Sequence, residues 1–85
     1  LSNSPAADPQ ARLEMIGKVL WTATDKQLTP AERCETLDGT KHLWLDKVPE
    51  HAELVETAFK TASNVALGKM KAETAKTYLE GLLKP

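Results

Sequence analysis

Cys34, His42 and His51 are the only thiol and imidazole groups in this 85-residue chain, so any metal or nucleophile chemistry starts with them. Structural zinc needs four nitrogen or sulfur ligands at close spacings, and one cysteine with two separated histidines falls short of that set. A cysteine nucleophile needs a base within hydrogen-bond reach. Cys34 and His42 are eight residues apart, which on a continuous helix separates them by ~12 Å. Cys34 and His51 could meet only through tertiary folding. Carboxylates recur three residues apart at Glu32/Glu35, Glu50/Glu53 and Glu53/Glu56. Lining a cleft, such pairs would hold a cation or share a proton. At the opening of a helix they also complement its positive end, which is the simpler account. Gly17, Gly39, Gly68 and Gly81 stand singly, and no phosphate-cradling loop or dinucleotide fingerprint is present. The expectation is a non-catalytic protein with no cofactor and no metal.

The elements that position these residues read as helices. Thr29-Pro30-Ala31-Glu32 joins a hydroxyl N-cap, a proline at the first helical position and a glutamate at the third, the residues of a capping box. Before it, Asp8-Pro9 opens a first helix to about Asp25, with Leu13, Ile16, Val19, Leu20 and Ala23 on one face. Lys26-Gln27-Leu28 is a short link of the kind that joins antiparallel neighbours. The second helix runs from Thr29 to about Lys47, with Cys34, Leu37, Trp44, Leu45 and Val48 inward and Lys41 amid them. Asp38-Gly39 is its weak point, since glycine costs ~1 kcal/mol inside a helix, and the alternative to a continuous helix is a break there with a restart near Thr40.

Pro49 opens a third helix whose inner face is Ala52, Val55, Ala58, Phe59, Ala62, Ala66 and Met70. The Ala58/Ala62/Ala66 ridge lets a neighbouring helix come close. Gly68, with Lys69 and Lys71, marks a helix end. A last helix from about Lys71 to Leu83 buries Ala72, Ala75, Leu79, Leu82 and Leu83; the alternative is one helix from Pro49 to Leu83. Alternating strand patterns are nearly absent. The fold expected is all-α: a compact bundle of three to four short antiparallel helices over residues 9–85. Residues 1–8, small and polar, read as a flexible tail or linker.

Composition narrows the function classes. A chain of this length buries only ~60–65% of the surface its unfolded form exposes. Its 11 basic and 12 acidic side chains leave a net charge of −1, against the basic surplus that nucleic-acid binding requires. The lysines at 60, 69, 71 and 76 against Glu73 do form a local positive stretch, and Asp46, Glu50, Glu53 and Glu56 against Lys47 a negative one. A lone cysteine points to an intracellular, cytoplasmic setting, although a disulfide-free extracytoplasmic chain fits it too. The longest apolar run, Leu43-Trp44-Leu45, is too short for a membrane span. A start at Leu1 reads as a processed product or a piece of a longer protein.

The runs Leu28-Thr29-Pro30, Leu45-Asp46-Lys47-Val48 and Ala52-x-x-Val55 bear a slight resemblance to the helical domain of steroid receptor RNA activator proteins and of the outer subunit of the COPII coat. The tryptophan-bearing last helix of that family has no counterpart in Ala72 to Leu83, and the matched residues suit most helical hairpins, so no family is assigned.

Met15, Trp21, Leu43, Leu54 and Leu67 fall off or beside the predicted inward faces. They read either as a contact site or as the margins of faces wider than drawn. Trp21, Leu43, Met15 and Leu67 are the candidate partner-binding residues, Trp21 foremost because tryptophan is enriched among interface hot spots. The function expected is a protein–protein interaction or assembly module, with a second copy or another protein as partner. The alternative is a small regulatory or inhibitory protein acting through Glu50, Glu53 and Glu56.

Overall fold

The computed structural model describes residues 9–83, so the tail reading of residues 1–8 lies outside it. Four α-helices are present among the described residues: α1 Pro9–Ala23, α2 Pro30–Lys47, α3 Ala52–Ala66 and α4 Ala72–Leu82. No strand occurs among them, and the chain is an all-α bundle. α1 and α3 form the central pair, packing on each other and each on both α2 and α4.

Local chemistry places the boundaries. Thr29 caps α2 with both bonds of the capping box: its hydroxyl accepts from the Glu32 amide at 3.1 Å, and the Glu32 carboxylate accepts from the Thr29 amide at 2.8 Å. Two donors that the helix cannot satisfy are thereby paired. Thr29→Ala is expected to cost about 0.5–2 kcal/mol, read as a shift in denaturation midpoint with helix content kept.

α2 runs through Gly39 without a break, so the continuous reading holds. Leu37 on one side of the glycine and Trp44 on the other are both buried, and anchoring on both sides outweighs a propensity penalty of ~1 kcal/mol. Pro49 begins a 3-10 turn, Pro49–His51, which leads into α3. α3 ends at Gly68, whose φ of +78° suits a residue without a Cβ. The Lys69 amide donates to the Asn64 carbonyl at 2.8 Å and the Gly68 amide to the Val65 carbonyl at 3.0 Å, the paired bonds of a Schellman end. α3 and α4 are therefore separate helices.

The core joins all four helices. Ile16, Val19, Leu20 and Ala23 of α1 are buried as the periodicity predicts, and so are Val55, Ala58, Phe59, Ala62 and Ala66 of α3. α1 departs from its predicted face at two places. Met15, expected outside, is 1% exposed, and Leu13, expected inside, is 44% exposed. Three helices touch α1, so its buried arc is wide and is turned toward Met15. Leu82 of α4 is also exposed where burial was expected, while Leu83 packs partly against the core.

Arg33 ties chain turns together that sequence periodicity does not connect. Its Nε donates to the Asp25 carbonyl at 2.7 Å and its Nη1 to the Ala66 carbonyl at 3.4 Å. One side chain thus holds the α1–α2 turn and the end of α3 against α2. The nearby Asp25 carboxylate accepts from the Gln27 amide at 2.9 Å and tightens the same turn.

Candidate interaction surface

The thiol and imidazole groups do not converge. Cys34 is half-buried in a groove between α2 and α3, His42 is exposed on α2, and His51 lies beside a separate small pocket with Arg12, Met15 and Trp44. Among the described residues, no group of three or more His, Cys, Asp or Glu side chains is placed to hold a metal ion.

The α2–α3 groove is about 620 Å³ and carries Cys34, Asp38 and Lys41 on one wall with Glu53, Glu56 and Lys60 on the other. Two of the three carboxylates named from sequence, Glu53 and Glu56, therefore share a groove, while Glu50 is exposed in the 3-10 turn. Lys41 and Lys60 stand in the same groove and offset much of their charge. The opening of α3 is thus a mixed-charge cleft rather than a purely acidic face.

The apolar candidates separate into three settings. Met15 is a core residue and is removed from the surface set. Its side chain packs where α1 meets Trp44, Val48 and Val55, a burial that the two-helix periodicity of α1 and α2 does not reveal. Leu67 is 49% exposed at the end of α3, where its amide bonds back to Ser63, and it stands apart from the other candidates. Trp21 and Leu43 are the most exposed large apolar side chains among the described residues, at 77% and 69%.

Trp21 forms part of a second groove, about 730 Å³, between α1 and α2. Glu14, Gly17, Lys18 and Trp21 line it from α1, and Leu37 and Thr40 from α2. Leu43 stands three residues beyond Thr40, so it follows on the same flank of α2. Trp21 is the exposed large apolar side chain that lines this groove, and Leu43 lies outside its lining. The two tryptophans differ sharply. Trp44 is 7% exposed, with the Lys47 ammonium 4.7 Å from its ring centroid, a cation–π arrangement that shields it. Trp21 has no such cover.

The remaining exposed large apolar side chains among the described residues are Leu13 on α1 and Tyr78 and Leu82 on α4. Arg12 contributes one further irregularity: its Nε is buried without a hydrogen-bond partner beside Met15 and Trp44. No helix among the described residues is long and apolar enough to cross a membrane.

Comparison with protein-family models, with curated proteins and with solved structures gives no match to this chain.

Proposed function

We propose that this chain is a non-catalytic protein–protein interaction or assembly module, an adaptor in the broad sense, that binds through the Trp21–Leu43 side of the α1–α2 groove. The observation that carries the reading is the exposure of Trp21 at 77% beside a groove floored by the buried Leu37. A rigid indole next to a preformed depression gives a partner large apolar area at low entropic cost, the setting in which hot spots arise. Single exposed apolar side chains are ordinary on any protein. A tryptophan left this open at the rim of a groove calls for a partner.

The net charge of −1 argues against a polyanion as that partner. The single cysteine favours a reducing, cytoplasmic setting. The test is affinity capture with the wild-type chain and with the double variant Trp21→Ala/Leu43→Ala. Hot-spot truncation of this kind costs about 2 kcal/mol or more, a loss of about 30-fold in affinity, so the bound proteins should vanish from the double variant. Both side chains are exposed, so its helix content and melting temperature should stay near wild type. Equal capture by the two chains would overturn the assignment.

A further inference from the structure

We infer that Arg33 is a clasp that makes the α1–α2 turn and the α3–α4 hinge, residues 67–71, open and close as one unit. The docking of α4 is thereby set from the turn before α2. The inference stands apart from the reading of Trp21 as a contact.

The clasp follows from what the two helices lack. A helix leaves its last carbonyls without amide partners, and a cation placed there is favourable. Neither α1 nor α3 carries a basic side chain in its last turn. Arg33, from the first turn of α2, supplies one cation to both ends. Its Nε donates at 2.7 Å to the carbonyl of Asp25, just past the end of α1. Its Nη1 donates at 3.4 Å to the carbonyl of Ala66, the last residue of α3. The donors of a guanidinium are fixed in one plane, so both carbonyls must be in place for both bonds to form. A lysine ammonium is a single point of charge and sets no such condition.

Each acceptor belongs to a segment that would otherwise open by itself. The Asp25 carbonyl also accepts from the Leu28 amide at 3.2 Å, and its carboxylate from the Gln27 amide at 2.9 Å. Ala66 leads into the hinge, where the Gly68 and Lys69 amides close the end of α3. Short surface segments of this kind open locally at far lower cost than the whole fold. One side chain bonded to both couples their openings. α4 hangs from the hinge, and Ala75 and Leu79 are the buried residues among its 11. Releasing the clasp therefore loosens the turn, the hinge and the hold on α4 together.

The experiment is native-state hydrogen exchange on the full chain, read at the Leu28 amide in the turn and at the Gly68 and Lys69 amides in the hinge. Asp25→Ala removes the carboxylate that accepts from the Gln27 amide, a change confined to the turn. It should nonetheless speed exchange at Gly68 and Lys69 by about fivefold or more. The Ala62 amide in the middle of α3 should change less, which marks the opening as local. Arg33→Met keeps the stem and removes the donors, and exchange in turn and hinge should each rise by about tenfold or more. Adding Asp25→Ala to Arg33→Met should then no longer reach the hinge. Arg33→Lys keeps the charge without the fork and should lose the coupling in the same way, so the result does not hang on how well Arg33→Met folds. An Asp25→Ala effect confined to the turn, or matched in full at Ala62, overturns the inference. So does an effect that still reaches the hinge in both Arg33 variants.

Discussion

Leu37→Ala should remove about 2–5 kcal/mol of folding stability, the range for truncating a buried leucine. Leu37 is 1% exposed, and it is one of only two buried residues on the 18-residue α2, Trp44 being the other. An 85-residue chain has about 4–13 kcal/mol in all, so the loss is a large share of the total. At about 4–8 °C per kcal/mol, the melting temperature should fall by roughly 10 °C or more. Leu43→Ala on the same helix, where the side chain is 69% exposed, should stay within about 0.5 kcal/mol of wild type. Thermal unfolding followed by circular dichroism separates the two. Equal effects would mean that α2 is anchored by a different face.

Adding volume to the alanine ridge should be the second large effect. Ala58, Ala62 and Ala66 are 0%, 0% and 2% exposed along α3, which like α1 packs on all three other helices. A leucine at Ala62 has no space to enter without pushing a neighbouring helix outward. Ala62→Leu is expected to cost about 1–3 kcal/mol, and more if the neighbours cannot shift. Ala31, exposed in the first turn of α2, is the control, and Ala31→Leu should be near neutral. Denaturant midpoints with an unchanged slope would report stability alone. A neutral Ala62→Leu would show that the helices are more loosely packed than this ridge implies.

What could be read from the sequence was the local chemistry. The capping box at Thr29 needs only residues three apart, and the Gly68 end needs only a glycine where α3 stops, so both follow from short-range rules. The α3 face was legible because one continuous stripe, Val55 to Ala66, meets the core. α1 was less legible. Its arc depends on how many helices surround it, which periodicity does not state, so Met15 and Leu13 came out on the wrong sides. Gly39 shows the same limit from another direction: tertiary anchoring at Leu37 and Trp44 overrode a local penalty.

The proposed interaction surface was half legible. Trp21 and Leu43 lie off their stripes and are the most exposed large apolar side chains described. The groove beside Trp21 depends on how α1 lies against α2, and no spacing within either helix encodes that. Arg33 left no readable signal, because its acceptors are the carbonyls of Asp25 and Ala66, distant in sequence and carrying no identity of their own. The same holds for the α2–α3 groove, where Lys41 of α2 comes beside Glu53 and Glu56 of α3 only through folding.

The claim that the Trp21 side of α1 and α2 is a protein contact is tested most directly by photo-crosslinking in cells. A benzophenone amino acid would replace Trp21, Leu43 or, as an exposed control on α4, Lys76. The account predicts protein adducts from positions 21 and 43 and little from position 76, with a dimer-sized adduct from position 21 if the occupant is a second copy. Yields at 21 and 43 no higher than at 76 would contradict it and leave that face a solvated surface.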